Sequence, residues 1–294
     1  MDEKIRKRKQ LHSNKPFKKP AETKPINEDP YPTHQRPTPE ECLAVRDDLL
    51  ALHGFPQQFA KYRKQRLNRS SLMTISGAGA PNDTMKSEPL NDEEESVLDG
   101  LIETVLSQNT TEVNSQRAFA SLKAAFLSWE AVLAAEPNCI ENAIRCGGLA
   151  PTKAACIKNI LSCLLKKRGK LCLEYLRALT VGEIKAELAH FKGIGPKTVA
   201  CVLMFHLQQD DFPVDTHVFE IAKAIGWVPP VADRNKTYLH LNRRIPKELK
   251  FDLNCLLYTH GKLCHKCTKK RGNKHGKESH DDSCPLLNFC KNSN

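Results

Sequence analysis

Residues 191–205 read FKGIGPKTVACVLMF. Just upstream, VGEIKAELAH has the three-and-four apolar spacing of an amphipathic helix, and PKTVACVLMF is almost wholly apolar. Between them, Gly193-Ile194-Gly195 predicts a tight turn, and Pro196 suits the first position of a new helix. The stretch therefore predicts a helical hairpin. Amide groups at its turn and at the start of the second helix would make an anion site suited to a phosphate. Glycine is also used in such turns for steric reasons alone. Lys197 is then the second residue of the second helix. The positive end of the helix dipole and partial burial both push a lysine there toward the free amine, the form a nucleophile needs. The plainer alternative is that Lys197 reaches solvent and meets a phosphate.

Eighteen residues further on, Asp215 follows the extended Phe212-Pro213-Val214 segment and precedes another helical pattern, THVFEIAKAIGW. Its position predicts an N-cap worth roughly 1 kcal/mol. A second role near Lys197 requires the intervening chain to fold back.

Working outward, every ordered stretch has helical spacing and none alternates like a strand. Residues 1–37 are rich in lysine, proline and polar residues and predict a disordered basic tail. Residues 38–94 predict a helix starting at Thr38-Pro39 and ending at Gly54, then a linker from about residue 66. Residues 95–207 predict a cluster of short helices that includes the hairpin, and 208–294 the Asp215 helix and a cysteine-bearing end. The 294-residue chain carries a net charge of +11, which favours an anionic partner, most often nucleic acid. No apolar run reaches membrane-spanning length, and MDEKIRKRKQ lacks the apolar core of a secretory signal. The KIRKRKQ run is similar to a nuclear import signal; a solvated basic tail is the simpler explanation.

The pair GIGPKTVACV and FPVDTHVF resembles the helix-hairpin-helix and Gly/Pro–Asp (HhH-GPD) signature of the endonuclease III superfamily of DNA glycosylases. LIETVLSQNTTEVNSQRAF and GGLAPTKAACIKNI resemble further motifs of that family, in the same order, so the likeness covers about 95–290. SQNTTE and FPVDTHVFEIAKAIGWVP also look like plant DEMETER-type 5-methylcytosine glycosylases. The resemblance implies an all-α fold of two helical lobes, with double-stranded DNA in the cleft between them. It matches Lys197 to a Schiff-base lysine and Asp215 to the catalytic aspartate. It gives Gly193, Gly195 and Lys192 to phosphate binding. Gln108 and Asn109 would fill the gap left by an everted base; a polar helix start is the plainer reading. Glu220 departs from the pattern, standing where many relatives have arginine.

Twelve cysteines in a chain without a secretory signal point to thiols or metal ligands rather than disulfides. Cys264-x2-Cys267-x16-Cys284-x5-Cys290 is a metal-binding pattern. The family often carries a [4Fe–4S] cluster after a His-Gly pair, kept here as His260-Gly261. The closing C-x5-C is also kept, but the C-x2-C and the long basic insert depart from the family spacing. Four thiolates suit the cluster and suit zinc as well, with His265, His275 and His280 as spare zinc ligands. The expectation is thus a monomeric nuclear base excision repair glycosylase with AP lyase activity on a modified pyrimidine. The alternatives are a non-catalytic DNA-binding protein, a glycosylase without the lyase step, and a 5-methylcytosine glycosylase.

Overall fold

A computed structural model describes residues 29–75, 95–264 and 284–290. Among them there is no strand; helices joined by short turns form two lobes, each around its own core. The basic run at 4–10 and Cys267 lie outside the described residues.

The chain opens with α1 (Pro39–His53), whose Thr38 cap and Glu41 bond reciprocally in a capping box. Gly54, at φ 64°, ends it as expected. Then comes α2 (Ala60–Ile75), which runs through the first ten residues of the expected linker. Its residues 60–75 contain neither glycine nor proline. It is also tied down by Arg66, whose guanidinium donates to the carbonyls of Met204 and Gln209, both at 3.2 Å, and pairs with Asp210.

The first lobe comprises α3 (Val97–Leu106), α4 (Glu112–Ala125), α5 (Trp129–Ala134), α6 (Pro137–Ala143), α7 (Ala150–Arg168), α8 (Val181–Ala189) and α9 (Pro196–Cys201). In α3, Val97, Leu98, Leu101, Ile102, Val105 and Leu106 are all buried. Fully burying each such side chain is worth about 1.5–3 kcal/mol. From α9 the chain continues directly into a π turn, Val202–His206, in which the Leu207 amide reaches back to Val202. Such turns insert one residue into a helix and recur at functional sites.

The second lobe is built from α10 (Thr216–Ala224), α11 (Arg234–Arg244), α12 (Lys247–Leu263) and the short α13 (Leu287–Cys290), with α1 packed on α12. Its core joins Cys42, Val45 and Leu49 of α1 to Trp227, Phe212 and the apolar face of α12. Residues 29–37, read from the sequence as part of the disordered tail, pack on this lobe. Buried His240 bonds the Arg36 carbonyl at 2.7 Å and the Asp29 carboxylate at 3.2 Å, and the Tyr31 ring meets it edge-on. The Tyr31 ring and the buried His240 imidazole offset the ordering cost that the segment's proline-rich composition suggested. The sequence reading also had no helix at α11, whose only buried positions are Thr237, His240 and Leu241.

Candidate active site and metal centre

The hairpin between α8 and α9 is held from below by α7. Gly193 has φ 93°, and a Cβ there would lie 2.9 Å from the Cys156 sulfur, so both backbone and space demand glycine. The Cys156 thiol donates to the Lys192 carbonyl at 3.4 Å, and the Lys192 amide donates to Asn159 Oδ1 at 2.9 Å. Gly195 is different: no atom stands within 4 Å of a Cβ built on it. Its open side lets a ligand approach the backbone. Lys192 is exposed beside this edge.

Lys197 and Asp215 line one cavity of about 300 Å3. Lys197 is the second residue of α9, as the sequence predicts, but it is exposed rather than half-buried. The helix buries Thr198, Val199 and Ala200 and leaves Lys197 on the side that opens into the cavity. One turn on, Cys201 faces the same space. Burial pushes its thiol up to about 11; the positive charge of Lys197 works against this and the negative charge of Asp215 with it. Both charged groups thus act on a single sulfur.

Asp215 caps α10, and its Oδ1 accepts the Val218 amide at 2.8 Å. The fold brings it back to α9 because Phe212-Pro213-Val214 is pinned on two sides. Asn242 of α11 accepts the Phe212 amide at 2.8 Å and donates to the Phe212 carbonyl at 3.0 Å. Asn254 of α12 donates to the Pro213 carbonyl at 2.8 Å.

Part of the wall was not singled out from the sequence. Lys61 and Tyr62 of α2, Glu103 and Thr104 of α3, and His206 of the π turn all line the cavity. Lys61 pairs with Glu95 at 3.0 Å. Burial, followed by the charge and hydrogen bond of Glu95, pushes Glu103 up to about 7. Burial takes His206 down to about 4. A Cβ at Gly100 would run into the His206 ring, so the ring sits there only because residue 100 is glycine. The signal for Glu103 was present, because it is an acid inside the buried run LIETVL. Lys61 and Tyr62 carried none; they arrive from a helix more than a hundred residues away from Lys197 in the chain.

Residues 102–247 match the family profile for HhH-GPD superfamily base excision DNA repair proteins. An Arabidopsis thaliana protein named "Putative DNA glycosylase" is 63% identical over 292 residues, covering 97% of this chain and 98% of that one. The chain belongs to the HhH-GPD superfamily. The Arabidopsis thaliana DNA glycosylase/AP lyase ROS1 is 29% identical over 182 residues, which are 56% of this chain but 12% of ROS1. Among solved structures, a trapped endonuclease III–DNA covalent intermediate aligns at a TM-score of 0.54 and 19% identity, covering 79% of this chain and 96% of that one. It shows the shared all-α fold.

In this HhH-GPD chain the connection from α3 to α4 carries Gln108 and Asn109. The Gln108 amide donates to the Thr198 hydroxyl at 3.1 Å, tying the connection to α9. Asn109 is exposed with φ 50°, a conformation asparagine tolerates better than most residues. Beneath them Lys153, 2% exposed, donates to the carbonyls of Leu106 at 2.7 Å and Gly147 at 2.8 Å. Among the described residues no helix is long and apolar enough to cross a membrane.

Among the described residues, two of the C-terminal cysteines meet beside a histidine. His260, Cys264 and Cys284 place their ligand atoms within 4.8 Å of one another. Cys290 is not in this group; its thiol donates to the Leu286 carbonyl at 3.4 Å. In a [4Fe–4S] cluster each thiolate takes its own iron, so the sulfurs stand further apart than the ligands of one ion. Cys290 outside a 4.8 Å group is therefore compatible with the expected four-thiolate cluster, and Cys267, the fourth expected thiolate, lies outside the described residues.

Proposed function

We propose that the protein is a base excision DNA N-glycosylase with AP lyase activity, acting on a base everted from double-stranded DNA. The observation that carries this is the meeting of Lys197 and Asp215 on one cavity. The hairpin amides at Gly193 and Gly195, with Lys192, would take a phosphate, and Gln108 and Asn109 would stand at the vacated base. The cavity of about 300 Å3 gives an everted base a place to enter. The Lys197 amine attacks the sugar carbon that carries the base, and the glycosidic bond breaks. The departing base takes up a proton. Asp215, with one oxygen committed to the Val218 amide, uses its other oxygen to offset positive charge on the sugar and to accept the lysine proton. Ring opening leaves a protonated Schiff base. Loss of a proton from the neighbouring sugar carbon then expels the 3′ phosphate and cuts the strand.

A modified pyrimidine fits this reading; 5-methylcytosine is the second choice, supported by the likeness of SQNTTE and FPVDTHVFEIAKAIGWVP to DEMETER-type glycosylases. A single catalytic chain and a nuclear location complete the proposal. The test is borohydride reduction of the protein with duplexes bearing an abasic site or an oxidised pyrimidine. The expected result is a covalent adduct whose peptide mass maps to Lys197. An adduct at another amine would overturn the assignment. Base release with no adduct would mean that water is the nucleophile. Binding with neither would leave a DNA-binding protein.

Glu103 has a place in the same scheme. Protonated below about pH 7, it keeps its hydrogen bond to Glu95 and can accept one from the everted base. Its folded pKa lies above the ordinary 4.5, so the stability tied to its proton is complete below 4.5 and lost as pH rises through about 7. Glu103→Gln should therefore raise the melting temperature relative to the wild type more at pH 8 than at pH 5. Equal shifts at both pH values would show that Glu103 is not held protonated by the fold.

A further inference from the structure

We infer, on the glycosylase reading above, that one wall of the cavity selects an everted pyrimidine with an exocyclic amino group, a cytosine derivative, over its keto counterpart. The wall is the last turn of α3 with the residue after it, and its polar groups are Glu103, Thr104 and Ser107. Each has its hydrogen engaged within the protein. The Thr104 hydroxyl donates to the Gly100 carbonyl and the Ser107 hydroxyl to the Thr104 carbonyl, both at 2.8 Å. A carbonyl can only accept, so the direction of both bonds is settled. With the Thr104 hydrogen placed, the His206 Nε2 that lies 3.4 Å from the same oxygen is the donor of that pair. The Glu103 carboxyl donates to Glu95, whose carboxylate also pairs with Lys61 at 3.0 Å. Once ionised, Glu103 has no hydrogen at all. In either state the wall offers the cavity lone pairs and no donor.

Such a wall tells pyrimidines apart at position 4. A cytosine-type ring has an amino group there, with two hydrogens; a uracil- or thymine-type ring has a carbonyl oxygen. The two hydrogens match neighbouring acceptors on α3, as acidic side chains match the cytosine amino group in DNA readout. A carbonyl oxygen would meet lone pairs, and no hydroxyl is left to turn toward it. Acceptors left facing one another without a hydrogen are costly away from water. The keto ring has one N–H of its own, but it stands between two carbonyls. Aiming it at one wall oxygen therefore brings a carbonyl toward the next. Lys61, on α2, lines the cavity as well and supplies a donor for the ring nitrogen and carbonyl that a cytosine keeps. Glu103 and Thr104 thus set the choice at position 4, and the substituent at position 5 is left to the rest of the cavity.

The test uses the full chain and two duplexes that differ at one group, 5-hydroxycytosine or 5-hydroxyuracil opposite guanine. Single-turnover excision should favour 5-hydroxycytosine by about tenfold or more. Equal rates or the reverse preference would overturn the assignment. So would neglect of both lesions by a protein that cuts an abasic site, which has no base to read. Failure to cut the abasic site would instead count against the lyase chemistry alone. The preference is then read from binding to the same two duplexes with a 2′-fluoroarabino sugar, which resists loss of the base, and equal affinities there would overturn the wall. Two variants locate the effect. Glu103→Gln keeps a donor for Glu95 and a carbonyl toward the cavity, so the ratio of the two rates should stay within about threefold of the wild type. Glu103→Leu removes the acceptor and should bring the two rates to within about threefold of each other. A general loss of fold lowers both rates together and leaves their ratio alone. A full preference in Glu103→Leu would overturn the role given to Glu103.

Discussion

Lys197→Gln is expected to lower strand cleavage at an abasic site by at least about a thousandfold, a loss of roughly 4 kcal/mol of transition-state stabilisation. Glutamine keeps a polar side chain of nearly the same reach and removes the nucleophilic amine. Little else should change. Lys197 is exposed, and substitutions at exposed positions usually shift stability by no more than about 0.5 kcal/mol. Duplex affinity should fall by at most one phosphate contact, visible as a salt slope smaller by about one. Single-turnover cleavage, measured beside binding titrations at two salt concentrations, separates these effects. Unchanged cleavage would show that another amine or water does the chemistry. A parallel loss of binding and cleavage would make Lys197 a contact and nothing more.

Lys153→Met should be the most damaging of the stability variants, costing about 2–5 kcal/mol and lowering the melting temperature by roughly 10 °C. The Lys153 ammonium is buried and donates to two carbonyls, Leu106 at the end of α3 and Gly147 before α7. Methionine fills much of the same volume but leaves both carbonyls without that donor, and buried acceptors are costly to leave unmade. The effect should also reach the site, because the Leu106 carbonyl directly precedes Ser107, Gln108 and Asn109. Calorimetry checks the stability. A melting point within 2 °C of the wild type, a threshold of the order expected for about 1 kcal/mol, would mean that water replaces the ammonium.

Some of this was open to reading in the linear chain. The hairpin, Pro196 at the start of a helix and Asp215 at the cap of another are local signals, and the structure has each of them. Local signals succeed because turn geometry and capping are settled by a few neighbouring residues. The burial of Lys197 was misjudged because its neighbours in sequence are core residues, while its side chain faces a cavity made by distant helices. For the same reason Lys61 and Tyr62 could not be found. The continuation of α2 past residue 66 depends on Arg66 and carbonyls well over a hundred residues away.

The stretch from Pro196 to His206 has one more property. Its Leu203 belongs to the core of the first lobe and its neighbour Met204 to that of the second, while Asp215 is carried on a helix of the second. Lysine and aspartate are thus mounted on different bodies, and this span runs from one core into the other. Their alignment is set by the joint, and a change at Met204 can put the pair out of true while every group around the cavity stays in place.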